Sequence, residues 1–298
     1  MERPRVLLSY WYARRMDWDR LLDVIAGWDV ILDSGAFSAH TQGGTVDLDA
    51  YARWLRLWSG RAVAAFSLDV IDDPVASARN YRRLLDADTG MTIIPVHHAG
   101  THVRFLDDLL NSGVTYVGFG GMVEHYKRRN AVTRWVAWHL RHCADAGARV
   151  HGLGYTASAV NRLPLYSVDS STWVNAERRG FLCLWDDRRN MITQIQIRNP
   201  EAVARCAPLM RRVGIDPARV SASGFLRGEQ LHEDRSFCHE TAISGYQAMD
   251  VHLRERHQVS APASIAPADA GTKVYVAATS FEDLSYVTGA WARREVSA

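Results

Sequence analysis

Seven short apolar runs alternate with amphipathic segments through the first two thirds of this chain, and nearly every run ends in a polar or glycine residue. The runs are RVLLSY (5–10), DVILDS (29–34), AVAAFSLDV (62–70), MTIIPVHH (91–98), VTYVGFGG (114–121), ARVHGLG (148–154) and PLYSVDS (164–170). Helical spacing falls near 17–27, 48–60, 74–88, 101–112 and 130–147. Asp47 or Asp49 is placed to open the second of these helices, and Thr101 and Asn130 lie where later caps are expected. Strict alternation of strand and helix argues for a parallel sheet.

With an eighth strand expected within 181–197, the pattern predicts an α/β fold of the (β/α)8 TIM-barrel type, with an open doubly wound sheet as the competitor. The barrel is favoured because Asp33, Asp69, His97, Gly120–Gly121, Gly152–Gly154 and Asp169 all sit at C-terminal strand tips. Barrel enzymes build their sites on that rim, whereas an open sheet would gather such residues at one switch point. The main part of the barrel and its rim is expected in 1–198. The remaining helices and a C-terminal extension are expected in 199–298, continuous with it as one domain. Helices are expected over 199–213 and 239–257, either side of a GFLRGEQ loop. The stretch VSAPASIAPADAG (259–271) reads as a linker or mobile loop, followed by strand-like KVYVAAT and a short helix.

Composition limits the partners. The 298 residues are 47% hydrophobic and 23% charged, with a formal charge of only +2, so any nucleic-acid role has to rest on local patches. No apolar run reaches the roughly 18 residues of a membrane span. MERPRVLLSYWYARR at the N-terminus lacks a small-residue cleavage site, so no signal peptide is expected. Cys143, Cys183, Cys206 and Cys238 lie far apart, which reads as free thiols in a reducing, cytoplasmic setting.

The segment ILDSGAFS (31–38) carries the sharpest chemical signal. A carboxylate that ends an apolar strand loses solvation, so Asp33 is either a hydrogen-bonded turn residue or a group with a shifted pKa and a chemical role. Asp69 in FSLDVIDD and Asp169 in YSVDSSTW repeat the arrangement. For Asp69 the adjoining DDP (72–74) supplies the cap of the next helix. Two separated carboxylates suit chemistry at a glycosidic carbon, one as nucleophile and one as proton shuttle. A third can accept from the N–H groups of a base. The glycines of GG (120–121) and GLG (152–154) either pack the barrel or let backbone approach a flat ligand.

The ordered motifs LDSGAF, SLDV, PVHHAG, GFGGM, VHGLG and YSVDSSTW resemble the tRNA-guanine transglycosylase superfamily over about residues 30–175. The resemblance implies Asp33 as general acid/base, with Ser34 and Phe37 beside the base, and Asp69 reading its edge. It maps further base contacts to His97, Gly120, Gly121, Met122, His151 and Gly152, and the nucleophile to Asp169. ITQIQIRN (192–199) is similar to a further strand of the family. The Cys-x-Cys-x-x-Cys zinc motif of the tRNA enzymes is missing. HLRHC (139–143) and HEDRSFCH (232–239) read as a helix face and a surface segment, so no metal and no cofactor is expected.

The shorter chain and the YSVDSSTW wording resemble the compact DNA-guanine transglycosylase branch of phages and bacterial DNA-modification clusters. This implies exchange of guanine in DNA for a free 7-deazaguanine such as preQ0, in the host cytoplasm if the gene belongs to a phage. The alternatives are the same exchange on tRNA or a non-catalytic nucleic-acid-binding barrel. Lys127, Arg128, Arg129, Arg178 and Arg179 are expected to contact the nucleic-acid backbone from rim loops.

Overall fold

In the computed structural model, which describes residues 3–122, 129–176, 179–265 and 270–297, the expected strands all form. They are β1 (Arg5–Ser9), β2 (Asp29–Asp33), β3 (Ala64–Phe66), β4 (Ile93–Ile94), β5 (Val96–His98), β6 (Tyr116–Gly120), β7 (Arg149–Gly152) and β8 (Ser167–Ser170). A hairpin follows, of β9 (Phe181–Asp186) and β10 (Met191–Gln196), and then β11 (Lys273–Ala278). The main sheet is parallel, in the order β4-β3-β2-β1-β11-β8-β7-β6-β5.

The two ends of that order are consecutive in the chain, separated by Pro95 alone. Proline has no N–H to donate, so the strand splits there. Its first half pairs with β3 and its second half with β6, and the Pro95 carbonyl accepts the Gly118 N–H at 2.8 Å. Counted as one strand, β4 and β5 complete the eight strands of a (β/α)8 barrel. The eighth strand is β11, not the 181–197 region. That region pairs with itself as the antiparallel hairpin β9–β10, because two strand-forming runs lie either side of a tight turn in which Asn190 adopts φ 52°.

Side chains alternate between the barrel interior and the outer helix layer. Leu7, Ile31, Ala64, Phe66, Ile94, Tyr116, Tyr166, Tyr275 and Ala277 pack together inside. The same parity carried toward the C-terminal ends turns Ser9, Asp33, His98, Gly120, His151 and Asp169 inward. Gly118 leaves room for the interior: a Cβ there would lie 2.9 Å from a ring carbon of Phe66.

The segment beginning at Val259, expected to be a linker or mobile loop, closes the opposite end of the barrel. Val259, Ala261 and Ile265 pack on the interior cluster. Arg149 donates to Ser260, Thr92 donates to the Ser264 carbonyl, and the Ser264 N–H is accepted by Thr115. Small residues and prolines suit a strap that runs flat across strand ends.

The helices around the barrel are Trp18–Val24, Leu48–Leu57, Pro74–Asp86, Arg104–Asn111 and Arg129–Asp145. Asp47 caps the second and Asp73 the third, accepting the Ala50 and Ala76 N–H groups at 2.6 and 2.8 Å. Thr101 and Asn130 are not caps: Val103 precedes the helix at Arg104 without a side-chain cap, and Asn130 lies inside a helix that starts at Arg129.

The chain divides into two compact units, one of residues 1–170 with 253–281 and one of 171–252 with 282–298. The second unit holds the hairpin, the helices Pro200–Arg212, Pro217–Ser221 and most of Leu231–Arg256. Its core is built from Leu182, Leu184, Ile195, Val203, Met210 and Val220. No helix among the described residues is long and apolar enough to cross a membrane.

Gly118→Ala pushes a methyl against Phe66 and is expected to lower stability by about 1–3 kcal/mol. Phe66→Leu in the same chain should recover part of that loss. Chemical denaturation of the single and double variants checks it.

Candidate active site

Asp33 ends β2, and its Oδ2 accepts the Gly35 N–H at 2.8 Å. Gly35 adopts φ 75°, and a Cβ on it would lie 2.4 Å from Trp11 Cβ and 2.7 Å from Ser9 Oγ, so only glycine turns the chain here. Burial first, then the charges of Asp69 and Asp169, raise the Asp33 pKa to about 7, against the lowering effect of the Gly35 N–H and the Ser9 hydroxyl. The three strand-end aspartates therefore share one mouth of the barrel and feel each other's charge. A carboxyl that titrates near neutrality is suited to both giving and taking a proton.

Asp69 follows β3 and is bound to His98 Nε2 through its Oδ2 at 2.8 Å. The His98 ring lies over Gly120, where a Cβ would come within 2.8 Å of it. Gly121, at φ 70°, turns the chain beside His98 and Ala99. His97, expected to touch the base, points the other way. Its ring stacks on Trp135 at 5.7 Å and packs against His139 behind the sheet, where burial and the two neighbouring histidines push its pKa down to about 3. The correction follows from strand parity, which sends adjacent residues to opposite faces.

Asp169 on β8 has one oxygen occupied: Oδ1 accepts the Gly154 N–H at 2.8 Å and meets His151 Nε2 at 3.1 Å. His151 is wholly buried, its Nδ1 lies 2.6 Å from Ser167 Oγ, and Ser167 lies 2.6 Å from the Tyr116 hydroxyl. Burial keeps the Tyr116 phenol protonated, with its pKa well above the ordinary value. For a neutral imidazole facing a carboxylate, these bonds run one way. Tyr116 donates to Ser167, Ser167 to Nδ1, and Nε2–H to Asp169. Asp169 Oδ2 receives no hydrogen bond from the described residues. His151 thus supports Asp169 from beneath, edge-on to Phe66 at 4.9 Å, instead of forming a wall of a base pocket.

The remaining expected residues divide. Ser34 is buried and its hydroxyl accepts the Ala36 N–H at 3.3 Å. Phe37, in the first turn of the helix Ala36–Thr41, is 54% exposed, and Met122 is buried. Gly152 faces Tyr155, Leu165 and Val168 on the outer layer, so the backbone approach to the site belongs to Gly154. Lys127, Arg128 and Arg178 lie outside the described residues. Arg129 opens the helix Arg129–Asp145, and Arg179 is exposed in the second unit, its carbonyl accepting from Gln196. Ser167 and Tyr116 were not anticipated, and of the two histidines in PVHHAG the base contact was expected at His97 instead of His98. The signal for His98 was the inward parity of Ile94 and Val96.

The raised Asp33 pKa makes a stability prediction. A raised carboxyl favours the folded state fully below its unfolded pKa of 3.8, and that contribution is lost as pH rises toward about 7. Asp33→Asn should therefore leave the thermal midpoint unchanged on the acid side and raise it on the alkaline side. Thermal melts across pH read this directly. Ser167→Ala strands His151 Nδ1 and the Tyr116 hydroxyl and should cost about 1–3 kcal/mol in denaturant titration.

No family model matches the chain, and no curated protein does, so the chemistry of the site is read from these side chains.

Proposed function

We propose that the barrel mouth is the active site of a pentosyltransferase that exchanges guanine in DNA for a free 7-deazaguanine. The reading rests on one observation above all. Two carboxyl groups at the same mouth are held in different ways, Asp169 by His151 and Gly154 with its second oxygen unbonded among the described residues, and Asp33 by burial with a pKa near 7.

In this mechanism Asp169 Oδ2 attacks C1′ of the target nucleotide from the face opposite the base. The C1′–N9 bond breaks, and protonated Asp33 gives its proton to the departing guanine. The sugar is then esterified to Asp169, and Asp33 is a carboxylate. It takes the N9 proton of the incoming 7-deazaguanine, whose nitrogen attacks C1′ and releases Asp169. Two inversions give net retention, as in retaining glycosidases. Negative charge in the mouth stabilises the oxocarbenium-like transition state. Asp69, fixed by His98, is available to accept from the base edge, and Phe37 is available to stack on it. The nucleotide has to leave its stack to enter.

The test is nucleoside mass spectrometry of DNA and tRNA from cells that make the 7-deazaguanine precursor and express this chain. Modified deoxynucleoside in DNA is the expected result, and modification confined to tRNA would move the reading to that polymer. Asp169→Asn should abolish exchange and the covalent adduct. Asp33→Asn should slow exchange by about 10²–10⁴-fold while oligonucleotide still binds. Absence of modification in both polymers would sink the proposal.

A further inference from the structure

A polyanion approaching this mouth meets the carboxylates gathered there, so its docking is favoured by cations that no carboxylate has already neutralised. The helical turn Tyr10–Ala13 after β1, with the two residues that follow it, carries two. It reads Tyr10-Trp11-Tyr12-Ala13-Arg14-Arg15, and it packs directly on the turn that follows Asp33, since Gly35 has no room for a Cβ against Trp11.

Arg14 lies over the Trp11 ring at 4.0 Å and farther over Tyr10 at 5.7 Å. Neither Arg14 nor Arg15 forms an ion pair with a described carboxylate, and Arg15 is exposed. The Trp11 ring is itself fixed. Its Nε1–H donates to Gln42 Oε1 at 3.1 Å, Gln42 donates to the Tyr12 hydroxyl at 3.0 Å, and Gly44 lies so close beneath that a Cβ would come within 2.5 Å of the indole.

An arginine held by an aromatic face keeps its full charge and all its N–H donors for a ligand, unlike one held by a carboxylate. Its fork of donors matches two phosphate oxygens. Tyr10 anchors the start of this helical turn, buried against Tyr51 and Trp54 at 5.3 Å each. The guanidinium is thus carried on the fixed Trp11 side chain, whose Cβ packs against the turn that follows Asp33.

We propose that Arg14, held on Trp11 with Arg15 beside it, is a phosphate clamp that binds the backbone of the strand presenting the target nucleotide. The proposal rests on the reading of the mouth as a site for a base within a nucleic-acid strand, and it adds where that strand is gripped. The ligand chemistry is the phosphodiester, common to DNA and RNA.

The experiment measures binding of the full chain to fluorescent single-stranded oligonucleotides, one DNA and one RNA of the same sequence, over a series of salt concentrations and without free base. Arg14→Ala is expected to weaken binding roughly three- to tenfold at low salt and to reduce the slope of log K against log salt by about one. Arg14→Glu should weaken it further, and Arg14→Lys should keep the slope while losing part of the affinity. Arg15→Ala, at an exposed position, gives the same slope test where Arg14→Ala alters the melting midpoint. Tighter binding of one oligonucleotide identifies the polymer gripped.

An unchanged slope in both alanine variants, or a wild type that binds neither oligonucleotide at low salt, overturns the clamp. Base exchange by the wild type with unchanged binding in the variants would refute the clamp alone. A normal slope effect in a chain that exchanges no base would refute the proposed reaction alone.

Discussion

The barrel depends on one strand serving two neighbours. Residues 91–98 give their first half to β3 and their second half to β6, and Pro95 between them supplies a carbonyl but no N–H. That junction joins the two ends of an otherwise open nine-segment sheet. It also fixes the inward set of Ile94, Val96 and His98. A one-residue slip would carry His97 into the mouth and His98 into the helix layer. Asp69 would then lose its partner, and the compact stack of His97, Trp135 and His139 would break.

Closure gathers carboxylates that repel each other, and the structure relieves them by three separate means. His98 binds Asp69, a buried imidazole and a backbone N–H bind Asp169, and Asp33 is left to hold a proton to near neutrality. The third solution leaves a carboxyl that changes charge near pH 7. The division of labour among three chemically identical side chains therefore comes from what lies beside each one.

The strands, the barrel and the three tip aspartates were legible in the sequence because each is announced locally, by an apolar run and the residue that ends it. His98 was not, because a barrel strand is apolar on both faces and its alternation is hidden. PVHHAG offers two histidines, and only the parity of Ile94, set by tertiary packing, separates them. The eighth strand was misplaced for a related reason. FLCLWD and MITQIQ are stronger strand formers than their surroundings, and DRRN between them marked a hairpin. Tyr116, His151 and Trp11 belong to different chain segments from the aspartates they serve. Their roles exist only through space, and no spacing along the chain records them.

The position of β11 has a consequence for how the molecule is made. β1 and β8 both wait for a strand at Lys273–Ala278, with Val6 registered against Val276 and Asp169 against Tyr275. A chain emerging from the ribosome holds these two edges unpaired while the whole inserted unit is synthesised. Unpaired parallel edges are slow to satisfy and prone to capture other strands. Until Lys273–Ala278 is made, the seven earlier barrel strands have β1 and β8 as edges without their final partner.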